Sequence, residues 1–343
     1  MSGQLLSSLE DTTNLGGLLH DVRLDYYGRK AASASGDNTV RIWNVADGQL
    51  QPAQELKGGH EGPVWKVSWA HPKFGSIIAS CGYDMKVIIW KEVHNSWQIA
   101  YADSSHAASV NDVEFCPWEH GLRLACASSD GNVSILTYQY DGSWRRTAFP
   151  AHAGGVQALS WSPVQYRDGQ PTQSLRMVTG GCDNSVSIWK CEGEAWSPES
   201  ASLAHSDWVR DVAWRPDGSG VIASGSWDKS VLIWKQEMEG QPWRQACKLT
   251  LPGKVESLSW SGTGSILAVS CGESEALLYK EAYDGRYEEI GKVNEPGFVE
   301  VPNSFMSAPP ATPNQPGPAE DTTSTLSAEL QQQQQAVLDS FGM

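Results

Sequence analysis

The sequence predicts an all-β fold: a ring of six four-stranded blades followed by an extended C-terminal tail. Three observations carry this. Short apolar runs of four to six residues, separated by turn signals, come in groups of three along most of the chain. The third run of each group closes on a large residue, at Trp43, Trp90, Leu136, Trp189, Trp234 and Tyr279. Those positions lie about 45 to 53 residues apart, close to the period of a propeller blade.

The clearest unit runs from Gly59 to Trp90, GHEGPVWKVSWAHPKFGSIIASCGYDMKVIIW. Gly-His at its start and Trp at the end of its third strand mark a WD-type blade. First strands follow in order as HDVRLDYY, VWKVSWAH, VNDVEFCP, VQALSWSP, VRDVAWRP and VESLSWSG, with an inward aliphatic at Val22, Val67, Val113, Leu159, Val212 and Leu258. The widest interval holds one insertion, Ser162 to Arg176, expected as a loop between the first two strands of blade four. Outer strands begin at Leu50, Trp97, Trp144, Trp196, Trp243 and Tyr287, several after Asp-Gly turns suited to hairpins. Blade six therefore owns a fourth strand, Arg286 to Val293, and Gln4 to Leu9 becomes a surplus strand beside blade one. The alternative stays open: Gln4 to Leu9 closes the ring as blade six's outer strand, with Arg286 to Val293 a loop.

Composition suits a packed β body with many turns: 343 residues, 40% hydrophobic, with 33 Gly and 16 Trp. A formal charge of -15 makes nucleic acid and anionic membranes poor partners, because binding to either needs a basic face. The N-terminus lacks the basic start and apolar run of a secretory signal, and no run approaches a membrane span. Seven cysteines without a CxxC pair favour a reducing, cytosolic setting over disulfides or zinc. His71 and His120 lie in equivalent turns with no companion ligands, so no metal is expected, and no phosphate-cradling glycine motif follows a strand, so no cofactor is expected.

One polar constellation looks catalytic. His60, Ser80 and Asp84 have the composition of a nucleophilic triad. The set recurs, however, as His152, Thr179 and Asp183 and as His205, Ser224 and Asp228, each beside a strand-three tryptophan (Trp90, Trp189 and Trp234). Repetition at the blade period indicates a structural network in which His links the turn Asp to a strand-two hydroxyl. Blade three keeps His106 and Asp130 but carries Cys126 and Leu136 at the other places. Blades one and six lack the His, with Leu15 and Leu251 in its position, and Glu273 replaces the Asp of blade six. Terminal repeats are often atypical because they face something other than another repeat; the sharper reading is that blades one and six do not meet. Trp65, Trp118 and Trp208 are candidates for a peptide-binding rim, with packing the commoner role for such residues.

Composition shifts after Asn294 to Pro, Ser, Thr and a Gln331–Gln335 run, with no Lys or Arg beyond Lys292. The domain reading is a propeller over 1–294 and a disordered, acidic, Pro/Ser/Gln-rich tail over 295–343. Leu326, Leu330, Val337 and Phe341 could lie on a short helix near its end.

The segments HDVRLDYYGRK, GHEGPVWKVSWAHPKFGSIIASCGYDMKVIIWKE, GLRLACASSDGNVSILTY and AHSDWVRDVAW resemble the small WD-repeat subunit of the COPII outer coat, which also serves in the Y-shaped scaffold of the nuclear pore. The likeness covers His20 to Lys292, including the Leu136 departure. It implies a non-enzymatic scaffold without cofactor: an open six-bladed propeller that accepts a further blade in trans. The donor would be an α-solenoid coat subunit or a nuclear pore solenoid subunit. Candidate edges for that blade are Leu5, Leu6, Leu9, His20 and Tyr26 on one side and Glu256, Tyr279 and Tyr287 on the other. The implied location is cytoplasmic, peripheral to the ER membrane in the vesicle coat, and at nuclear pores. A vacuolar or lysosomal nutrient-signalling complex and a closed peptide-reading adaptor are the other readings.

Overall fold

Each blade is an antiparallel meander because its inner strands alternate aliphatic and small residues between Asp- or Gly-containing turns. A computed structural model describes residues 18–46, 49–167, 169–172, 174–199, 203–272, 275–294 and 298–300. Blade one is β1 (Leu19–Leu24), β2 (Lys30–Ser35), β3 (Val40–Ala46) and β4 (Gln49–Leu56). Blade two is β5 (Val64–Trp69), β6 (Ile77–Gly82), β7 (Val87–Val93) and β8 (Ser96–Asp103). Blade three is β9 (Val110–Phe115), β10 (Arg123–Ser128), β11 (Asn132–Tyr138) and β12 (Trp144–Pro150).

In blade four, β13 (Val156–Trp161) is followed by the insertion, where β14 (Tyr166–Arg167) and β15 (Gln170–Pro171) form a small hairpin rather than a plain loop. The blade continues with β16 (Leu175–Gly181) and β17 (Ser185–Glu192), so Arg176 belongs to a strand and not to the insertion. Its outer strand is split into β18 (Ala195–Pro198) and β19 (Leu203–Ala204), both paired with β17. Blade five is β20 (Val209–Trp214), β21 (Val221–Ser226), β22 (Ser230–Lys235) and β23 (Arg244–Thr250). Blade six is β24 (Val255–Trp260), β25 (Ile266–Cys271), β26 (Glu275–Glu281) and β27 (Tyr287–Asn294), with a fifth strand β28 (Phe298–Glu300).

Blade six thus has its own outer strand: β27 pairs with β26 from Tyr287 opposite Glu281 to Val293 opposite Ala276. The reading of Arg286 to Val293 as a loop is set aside. β28 lies past the boundary at 294 and pairs Phe298 with Asn294 and Glu300 with Lys292. The Pro-rich composition around it masks a three-residue strand. The proposed strand Gln4 to Leu9, with Leu5, Leu6 and Leu9, lies outside the described residues, as do Leu15, Glu273 and the tail helix.

The turn joining the second and third strands shows why Asp recurs there. The residue after Asp has φ of +70° at Asn38, +64° at Met85, +88° at Gly131, +66° at Asn184 and +64° at Lys229. That left-handed conformation costs roughly 1–2 kcal/mol outside Gly. The Asp carboxylate offsets it by accepting the N–H two residues on, as Asp84 does from Lys86 and Asp228 from Ser230.

A blade has two apolar faces and buries them only against neighbours. Five hydrophobic clusters result, one per junction from blades one and two to blades five and six. Val67, Val64 and Trp90 of blade two, for instance, pack on Ala32, Ala34 and Ile42 of blade one. Among the described residues, no cluster joins blade six back to blade one.

Candidate partner interface

Side chains stitch each inner strand to the next. Asp21, Asp112 and Asp211 accept the N–H of Val67, Leu159 and Leu258 in the following blade, at 3.2, 2.9 and 2.7 Å. Ser68 and Ser160 do the same for the N–H of Phe115 and Trp214, at 3.1 and 3.2 Å. Trp69, Trp161 and Trp260 return an indole N–H to Arg23, Glu114 and Ala213 carbonyls. Sequence reading missed these stitches; Asp at the third position of alternate first strands was their signal. Among the described residues, no side chain of blade six does this for Val22.

The polar networks take the form their repetition suggests. Trp90 Nε1–H donates to Ser80 Oγ at 2.8 Å, Ser80 meets His60 Nε2 at 2.8 Å, and His60 Nδ1 reaches Asp84 at 3.0 Å. Every group is satisfied when the imidazole proton sits on Nδ1, donates to Asp84, and leaves Nε2 to accept the seryl proton. The Ser oxygen then faces a tryptophan and a histidine inside the blade, with no room for substrate. Blade four repeats the chain through Trp189, Thr179, His152 and Asp183, and blade five through Trp234, Ser224, His205 and Asp228. Burial pushes the His205 imidazole down, outweighing Asp228, which keeps it neutral. Burial also tends to raise the Asp carboxyls, but hydrogen bonds from His and from backbone N–H groups outweigh it. Asp84, Asp183 and Asp228 sit below the ordinary range, and Asp130 falls to about 2.

Two networks are completed by residues the sequence reading missed. In blade three Ser134, directly opposite Cys126 in the β10–β11 register, takes the place of the strand-two hydroxyl and meets His106 Nε2 at 2.8 Å. A lone Ser in the apolar strand of the one blade with Cys at the hydroxyl position was the available signal. Blade one keeps half the network, Trp43 Nε1 to Ser33 Oγ at 3.0 Å, while Asp37 is held by Thr39 and Arg41 instead of a His.

The seam between blades six and one differs from all five sealed junctions. Val67, Val113, Leu159, Val212 and Leu258 are between 2% and 5% exposed, whereas Val22 in the same position is 43% exposed. Leu24 on the same strand is also exposed. Across the seam Ala268 and Ser270 are only half-buried, while their blade-two counterparts Ala79 and Cys81 are fully enclosed. Ile266 and Leu278 remain covered.

The expected edge residues are largely elsewhere. Tyr279 and Tyr287 are buried against Val221 and Ile233 of blade five, because the aromatic of each blade points to the preceding blade. Tyr287 also reaches Arg215 at 3.4 Å. Glu256 is drawn to Arg210 of blade five at 3.4 Å. His20 packs edge-on to Trp65 of blade two and Tyr26 packs on His71 of blade two. Val22 and Leu24, which sequence reading took as interior or passed over, stand exposed on the blade-one side of the seam, while Trp43 on the same face is buried. Of the three rim tryptophans, Trp65 donates to Ser109, Trp208 stacks on Trp227, and Trp118 stacks on His71 while remaining exposed.

Comparison with known proteins gives the family context. The model for "WD domain, G-beta repeat" matches residues 3–44, 51–91, 143–190 and 197–235. The chain is 41% identical over 331 residues to the protein SEC13 homolog of Drosophila melanogaster, covering 89% of this chain and 92% of that protein. It is 42% identical over 298 residues to the protein transport protein sec13 of Aspergillus clavatus, covering 81% of this chain and all of that protein. A third relative, the protein transport protein SEC13 of Yarrowia lipolytica, is 45% identical over 291 residues, with 81% of this chain and 97% of the relative covered.

Proposed function

The chain belongs to the SEC13 family of WD-repeat proteins, and from that premise we propose that it is a non-enzymatic scaffold of the COPII vesicle coat. In this reading it accepts one blade in trans from an α-solenoid subunit, and the rigid propeller stiffens that solenoid against bending. The observation that carries it is the exposure of Val22 in a position sealed in every other blade. Open inner strands with apolar side chains and no facing neighbour are the natural seat of an added sheet. A blade inserted there would bury Val22 and Leu24 on one side and Ala268 and Ser270 on the other, within an obligate interface of upward of about 2,000 Å². The same seam would receive the nuclear pore solenoid, since the docking chemistry of an added blade is common to both.

Repetition of the His–Asp networks within the blade cores supports a scaffold rather than an enzyme. No helix among the described residues is long and apolar enough to cross a membrane. In this proposal the chain works at the ER membrane peripherally, through the coat.

Coexpression of the full chain with a solenoid fragment carrying its candidate blade tests the proposal. A 1:1 complex should form by size exclusion with light scattering. Val22→Asp with Leu24→Asp should reduce it at least 100-fold in affinity while the propeller stays folded. Undiminished binding by a folded double variant would remove the seam as the site.

A further inference from the structure

On the face of the ring that carries the turns between first and second strands, blades one to three present a continuous run of rings. Tyr27 and Tyr26 meet edge-to-face at 5.1 Å, Tyr26 meets His71 at 4.7 Å, and His71 stacks on Trp118 at 5.3 Å. Tyr26, Tyr27 and Trp118 are exposed. Two cations bracket the run: Arg29 lies 5.7 Å from the Tyr27 ring centre and Lys73 lies 4.3 Å above Trp118. Single-turn 3₁₀ helices at Pro72–Phe74 and Trp118–His120 hold the last two members, with His71 capping the first by accepting the Lys73 N–H. The ladder bridges blades one to three at the surface, and none of its rings belongs to the buried clusters at those junctions.

Its chemistry suits a polyproline segment. Pro-rich chains in the extended left-handed helix advance about 3.1 Å per residue and dock on exposed aromatic grooves at little entropic cost. Three ring-to-ring steps therefore match roughly five residues of such a helix.

The chain itself carries such a segment. Pro309, Pro310, Pro313, Pro316 and Pro318 fall within ten residues, and after Ala319 come Glu320 and Asp321. Residues 301–343 contain no Lys or Arg, a charge that complements Arg29 and Lys73. The exit direction also fits. β27 leaves the turn at Ala282–Arg286, which lies at the same end of the blade as the turn between β24 and β25, and β28 runs antiparallel to β27. β28 therefore points toward the face that bears the ladder. Residues 301–318 span at most about 60 Å when extended, enough to cross from blade six to blades one to three.

We infer that the polyproline segment Pro309–Pro318 docks in cis on the Tyr26–His71–Trp118 ladder, with Glu320 and Asp321 answering its cations. Tethering supplies an effective concentration on the order of 1 mM, so an intrinsic affinity of about 0.1 mM would fill roughly nine-tenths of the sites.

Hydroxyl-radical footprinting of the full chain tests this, with the five prolines replaced by Ser in the comparison variant, a change outside the blades. Labelling of Tyr26, Tyr27 and Trp118 should rise about 3- to 10-fold in the variant, while Tyr83 on the opposite face is unchanged. Lys73→Glu should release the same rings in part. Equal labelling of wild type and variant would overturn the inference. Protection that disappears on dilution would assign the docking to a second copy and overturn the cis arrangement. Protection that appears only when a partner's Pro-rich segment is added would overturn it equally.

Discussion

Val67 and Val22 occupy the same position in consecutive blades, yet one is 2% exposed and the other 43%. Their own strands are alike: each lies mid-way along a six-residue first strand and pairs with a small residue, Val67 with Ser80 and Val22 with Ser33. Between blades one and two, Ala32, Ala34 and Ile42 cover Val67, and Asp21 takes its N–H. At the seam no described residue does either for Val22. Burial in a repeat protein is therefore a property of a pair of blades, and an internal-looking valine can stand exposed.

The sharpest way to break this comparison is to place the same charge on both sides. Val67→Asp buries a carboxylate among alkyl groups with no partner, and should cost about 3–5 kcal/mol in urea denaturation of the isolated chain. Next, Ser80→Ala leaves both His60 Nε2 and Trp90 Nε1 without partners and should cost about 1–3 kcal/mol, read as a lowered Tm. Ser134→Ala, which strands His106 but no indole, should cost the smaller share, because Leu136 takes the tryptophan's place in that blade.

Acid should act in a defined window. Asp130 has a folded pKa of about 2 against roughly 3.9 unfolded, so its contribution is complete above about pH 4 and is lost as pH falls toward 2. Asp130→Asn should flatten the stability curve there by about 1–2 kcal/mol in denaturant titrations at pH 2 to 5. Val22→Asp completes the pair with the smallest effect, within about 0.5 kcal/mol for the isolated chain. A loss as large as that of Val67→Asp would show the seam to be sealed.

Much of the fold was legible in the residues. Blade count, the closing positions from Trp43 to Tyr279, and blade six's possession of its own outer strand follow from a period-two pattern read at a 45-residue spacing. The histidine networks were legible because each joins residues 19 to 31 positions apart within one blade. Ser134 was hidden because its hydroxyl stands in for a residue on the neighbouring strand, a relation set by cross-strand register. Tyr279 and Tyr287, expected at the seam, lie elsewhere for a related reason. Tyr279 and Tyr287 belong to blade six but point to blade five, and chain position alone does not say which face of a blade a side chain joins.

By itself the sequence determined the blades: local alternation, turn Asp residues and closing aromatics are contacts within about fifty residues, and they recur too regularly to mean anything else. Only the tertiary structure decided which blade faces meet. That choice rests on packing between units remote in the chain, where Val22 and Val67 look the same until a neighbour is present or absent.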